Sequence, residues 1–69
     1  MYRVQCSRSG SPVTSIIEVS KWLHARQIRP VIERHRIADD SVVFNLCFSR
    51  ADQARAFAKA FAGRIELAS

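Results

Sequence analysis

The sequence predicts an α+β sandwich in which two helices back one face of a four-stranded antiparallel sheet. Three observations lead there. Four stretches alternate apolar and polar residues, the period of a half-buried strand. Two others repeat apolar residues at helical spacing. They follow one another as strand, helix, strand, strand, helix, strand, with no repeat or low-complexity stretch between them.

In Tyr2 to Cys6, Tyr2, Val4 and Cys6 point one way and Arg3 and Gln5 the other, as in a short strand. Ser7 to Pro12 is turn chemistry, and Ser11 before Pro12 suits an N-cap and a first helical residue. Ser15 and Glu18 stand at capping-box spacing and offer a later start. The helix is expected from Val13 to about Gln27, with Val13, Ile16, Ile17, Val19, Ser20 and Leu23 on its inner face and Trp22 at the margin. Pro30 ends it by biasing Arg29 toward extended backbone.

Pro30 to Ile37 reads as a second strand, and Ser41 to Phe48, with Val42, Phe44, Leu46 and Phe48 on one face, as a third. The turn at Asp39-Asp40 makes the two a hairpin; a loop of two or four residues pairs Ile37 with Val42, His35 with Phe44 and Arg34 with Asn45, whereas a three-residue loop would reverse the parity of one strand. Ser49 is the expected N-cap of a second helix whose stripe is Ala51, Ala54, Phe57, Ala58 and Phe61, and Gly63 its expected C-terminal cap. Arg64 to Ala68 alternates again, with Ile65 and Leu67 inward. The order is that of a ferredoxin-like βαββαβ sandwich, in which right-handed crossovers put the first and third strands at the centre. The alternative is a last strand that stays out of the sheet or joins a partner's.

Residues 1–69 are expected to form one small domain, whose core at this length is marginal. No apolar run approaches the roughly 20 residues of a membrane span. The first residues lack the apolar stretch of an export signal, so a cytoplasmic location and no membrane partner are expected. Cys6 and Cys47 are too few for a disulfide scaffold and belong to no CxxC pair; they are expected to be free thiols on opposite sides of the sheet. Cys6 should be a core residue, and Cys47 an outward one beside arginines.

Charge carries the functional signal. Lys and Arg total 11 against 6 Asp and Glu, a formal net charge of +5. Strand parity assigns Arg3, Gln5, Arg34, Arg36, Val43, Asn45, Cys47, Arg64 and Glu66 to the sheet face that no helix covers. Arg3, Arg34, Arg36 and Arg64, with Asn45, are therefore the candidate anion- or partner-binding residues, because arginine forks match phosphate and carboxylate. A solvated sheet face needs no more than the same residues. RNA-recognition sheets of this topology stack bases on aromatic side chains, and none of these positions is aromatic.

The same face, with Val43, Cys47 and Ile32 as an apolar strip, also suits self-association, although stacked like faces would oppose arginines. Pairing through the second or fourth strand avoids that clash and enlarges a small core. Trp22 is a candidate partner anchor or a packing residue at the core margin.

Nothing points to catalysis. His24 and His35 lack a metal-ligand spacing, and Asp39-Asp40 is explained by the turn. Glu33 and His35 share a strand face at the expected sandwich rim, where a paired polar margin accounts for them. With only Gly10 and Gly63, no glycine-rich phosphate loop is available. No catalytic residue, metal or cofactor is assigned. The expected role is a small non-enzymatic binding or assembly module, a homodimer or part of a larger complex; the alternative is phosphate-backbone contact with nucleic acid.

Overall fold

A computed structural model describes residues 1–67 of the chain. Its elements are β1 (Tyr2–Ser9), α1 (Pro12–Ala25), β2 (Ile32–Ala38), β3 (Ser41–Phe48), α2 (Ala51–Phe61) and β4 (Arg64–Leu67). The strands form one antiparallel sheet in the order β2-β3-β1-β4, the ferredoxin-like arrangement, with β1 and β3 central. The hairpin register is the expected one, Ile37 opposite Val42, His35 opposite Phe44 and Arg34 opposite Asn45. β4 joins the sheet by pairing with β1. Ala68, which the alternation included in the last strand, lies outside the described residues.

The alternation works because β3 is the spine. Val42, Phe44, Leu46 and Phe48 are all buried, and they meet Val4 and Cys6 of β1, Val19 and Leu23 of α1, and Ala54, Phe57 and Phe61 of α2. Phe57 sits at the middle of this core, its ring centroid 5.5 Å from Phe48, 4.9 Å from Phe61 and 5.6 Å from Trp22. Alanines at 54 and 58 let α2 lie close to the sheet while the phenylalanines fill the space between.

Several ends differ from expectation. β1 continues through Ser7, Arg8 and Ser9, residues whose composition suggests a loop, because they face Val43, Val42 and Ser41 of the β3 ladder. There the pairing overrides local propensity. α1 stops at Ala25 rather than near Gln27: Gln27 turns left-handed (φ 56°) and its N–H and that of Ile28 bond back to His24 and Leu23. β2 begins at Ile32 and runs to Ala38. Ser11 is the N-cap of α1 as expected, its hydroxyl accepting from the Thr14 N–H, and Ser15 of the alternative capping box is buried inside the helix.

Ser49 does not cap α2. The N-cap is Arg50, in extended backbone and with no side-chain cap bond; its guanidinium instead forks onto Asp52 at 3.0 and 3.4 Å. That hydrogen bond, more than the charge beside it, holds the Asp52 carboxyl below its ordinary range. Its stabilisation is therefore present above the unfolded carboxylate range and fades as pH falls through the folded one.

Gly63 is not the left-handed residue after α2 either. Ala62 takes that conformation (φ 53°), and the Gly63 N–H then closes the helix on the Ala58 carbonyl at 2.8 Å. An alanine there is strained by about 1–2 kcal/mol, against a glycine entropy cost of roughly 0.5–1. Ala62→Gly should therefore raise stability by up to about 1 kcal/mol, a rise of a few degrees in Tm by calorimetry. An unchanged or lower Tm would contradict this account of the turn.

The helices lie over β1, β3 and β4, and every residue of β2 is exposed. The flank of α1 nearest β2 is also uncovered: Val13 is 66% and Ile17 47% exposed, and Ser20 is exposed, although all three were expected on the inner face. The reason is geometric. The buried stripe is narrower, Ser15, Val19 and Leu23, with Ile16 and Trp22 at its margins, because α1 packs over β1 and β3 and meets α2 through Trp22. No helix among the described residues is long and apolar enough to cross a membrane.

Candidate functional site

The open face is ordered in transverse rows by the two registers. One row is Ile32, Cys47, Arg3 and Glu66; the next is Arg34, Asn45, Gln5 and Arg64; the third is Arg36, Val43 and Ser7. All four predicted arginines lie on this face and all are exposed. They are not equivalent. Arg3 meets Glu66 across the β1–β4 pair at 3.9 Å, an exposed contact of the kind worth about 0–1 kcal/mol. Arg34 and Arg36 are one pleat apart on β2, roughly 7 Å, and Asn45 stands beside Arg34. Arg64 lies at the far end of that row, three strand spacings or roughly 14 Å away. Among the described residues no carboxylate pairs with Arg34, Arg36 or Arg64.

Arg3, Ile32, Arg34, Asn45 and Cys47 enclose a shallow depression of about 380 Å³. Its floor corrects an expectation. Cys47 points to this face but is buried, 6% exposed, because it is a small residue flanked in its row by Arg3 and Ile32, whose longer side chains close over it. Cys6 is buried in the core, and burial raises its thiol pKa more than nearby Arg8 lowers it. Both cysteines are free. A thiol titration should find neither sulfur reacting at once in the native protein and both after denaturation. Immediate labelling of Cys47 in the native protein would contradict its placement.

Trp22 packs edge-on against Phe57 and Phe61, with centroids 5.6 and 5.8 Å away, and is half-buried. The guanidinium of Arg26 covers its ring at 4.4 Å. Its rim position therefore carries a packing contact to α2. Sequence reasoning missed Arg8, assigned to a loop. It extends from β1 to the helix side, meets Glu18 of α1 at 3.1 Å and lies 5.3 Å from the Phe61 ring centre. The i, i+2 parity of Val4, Cys6 and Arg8 was the available signal, masked by the Ser-Gly-Ser run that follows.

Glu33 and His35 do share the helix-side face of β2, but no partner closes over them. Both are exposed, and among the described residues neither forms an ion pair with the other or with a helix residue. His35 lies tilted to Phe44, with centroids 6.2 Å apart. Ile65, expected inward, is 38% exposed on the short β4, and the side chain of Leu67 lies outside what is described. No group of three or more His, Cys, Asp or Glu among the described residues is placed to hold a metal ion.

The molecule thus carries two distinct surfaces: a basic sheet face, and an edge strand with Ile32 (39% exposed) and Ile37 (59%) in solvent, preceded by the exposed Val31 (54%). The chain matches no known protein-family model, no curated protein and no solved structure.

Proposed function

We propose that the protein is a small, non-enzymatic assembly module that self-associates or joins a larger complex through β2. The observation that carries this reading is the exposure of β2 along its whole length, on both faces, with Ile32 and Ile37 in solvent and the exposed Val31 just before them. An exposed sheet edge offers unpaired N–H and C=O groups to another strand. Proteins commonly blunt such edges with proline or cover them; here Pro30 lies before the strand rather than within it. The exposed flank of α1 adds apolar area beside the edge. Solvent exposure of Glu33 and His35 also favours a binding role over a proton-transfer pair, which works best in an enclosed site. A cytoplasmic setting fits two free thiols.

The hairpin suggests a clean test. A two-residue turn makes Ala38 and Ser41 a hydrogen-bonded pair, so Glu33, His35 and Ile37 turn their backbone groups away from β3. His35→Pro should then leave the β2–β3 ladder intact while removing an outward N–H. Light scattering across a wide concentration range is expected to show a wild-type oligomer and a folded His35→Pro monomer. A wild type that stays monomeric throughout would refute the reading.

A second reading is supported by Arg34 and Arg36, adjacent on the open face with Asn45 and without a paired carboxylate among the described residues. They suit contact with phosphates of a nucleic acid. Such binding should weaken steeply with salt, and Arg34→Gln with Arg36→Gln should remove about two units of the log–log salt slope. No binding of a mixed-sequence duplex or single strand at low salt would dismiss it.

A further inference from the structure

We infer that the occupant of the β2 edge is a second copy of this chain, paired antiparallel about a two-fold axis through Arg34; this rests on the assembly reading above. A two-fold contact brings the same patch of each copy together, so residue i meets j and j meets i. Within a continuous sheet, residues opposite one another must share a face, which restricts the register to a few choices. Centring the axis on Arg34 places Glu33 opposite His35 and Ile32 opposite Arg36 of the other copy, each pair occurring twice.

Both pairs are complementary. On the helix-side face, the exposed Glu33 gains an imidazole partner. On the open face, Ile32 lies under the aliphatic stem of Arg36. Moving the axis by one residue either way sets Glu33 against itself or His35 against itself, and loses the Glu33–His35 match. The outward backbone groups of Glu33, His35 and Ile37 have the phase this ladder needs.

The surroundings fit the same occupant. Val13, Ile17, Ser20 and His24 recur at i, i+4, i+7 and i+11 along one flank of α1. Ser20 and His24 share a hollow with Glu33, so this flank faces the β2 side. Two such flanks, one from each copy, rise on either side of the paired β2 strands and cover the helix-side surface that each chain alone leaves bare. The product is an eight-stranded sheet with one continuous basic face. Its one unfavourable contact is Arg34 against Arg34 on the axis.

The register is tested by exchanging charge between its two complementary positions in the full-length chain. Glu33→Lys alone, which loses the Glu–His contact twice, and His35→Glu alone, which sets two carboxylates against each other twice, should each weaken the homodimer, the second by about tenfold. Mixed in equal amounts, the two variants should recover a heterodimer close to wild-type affinity, since it contains one Lys–Glu and one native Glu–His pair. Native mass spectrometry distinguishes the three species by mass, and circular dichroism checks that each variant folds. Arg34→Cys, in a Cys47→Ser background, should form a disulfide-linked dimer under mild oxidation, whereas Glu33→Cys and His35→Cys should not. A wild-type dimer with no preference for the mixed pair, or one cross-linked through position 33 or 35, would overturn this register and leave assembly through β2 standing. A wild type that remains monomeric at millimolar concentration would overturn both.

Discussion

Replacing Phe57 by alanine is expected to cost about 3–5 kcal/mol, the range for deleting a fully buried aromatic ring. Phe57 is 0% exposed and touches three other aromatic rings, those of Phe48, Phe61 and Trp22, so no neighbour can move into the void without breaking another contact. A chain of this length has roughly 3–10 kcal/mol of stability to lose. The variant should therefore lie near or below half-folded at room temperature, seen as lost cooperativity in urea unfolding and a red shift of Trp22 fluorescence. Phe57→Leu, which keeps most of the volume, should retain a cooperative transition. A Phe57→Ala protein within about 1 kcal/mol of wild type would mean that this four-ring cluster is not the centre of the fold.

Gly63→Ala is expected to cost about 1–3 kcal/mol, the range for overpacking a tight site. The methyl group would stand 2.8 Å from Val4 Cγ1, 3.2 Å from Cys6 Cβ and 3.2 Å from the Gln5 carbonyl oxygen. Val4 is 0% exposed and β-branched, so it cannot swing aside. Gly10 provides the contrast: it has φ +99°, and an added Cβ there meets nothing within 4 Å. Gly10→Ala should thus be costly through backbone strain alone. The two causes separate in a double-mutant cycle with Val4→Ala. Room made at Val4 should make Gly63→Ala cheaper, while Gly10→Ala should cost the same in either background. Additivity at both glycines would show that the clash at Gly63 is not what makes it necessary.

These two residues also mark what was legible in the chain. Phe57 follows directly from the stripe of Ala51, Ala54, Phe57, Ala58 and Phe61, because helical period and burial coincide there. The role of Gly63 does not. Its position after a helix suggests a left-handed cap, yet Ala62 holds that conformation, and Gly63 is needed where the chain crosses close to β1. A close approach between segments almost sixty residues apart leaves no local trace.

The same division holds for the candidate surfaces. Period-two alternation sorted Arg3, Arg34, Arg36 and Arg64 onto the open face, since a strand can present a side chain in only two directions. It did not show that Arg3 answers Glu66, or that Arg3 and Ile32 would close over Cys47, because neighbours across a row depend on register and side-chain length. Nor did it show that β2 would stand bare on both faces.

By itself the sequence determined the element order, the hairpin register for an even-length turn, most of the core and the sidedness of the charges. All of these rest on short-range periodicity and turn chemistry. Only the tertiary structure decided where the two helices settle across the sheet. They sit over β1, β3 and β4, where the inward phenylalanines and alanines let them pack closest, and that choice leaves β2 and the flank of α1 as the exposed edge.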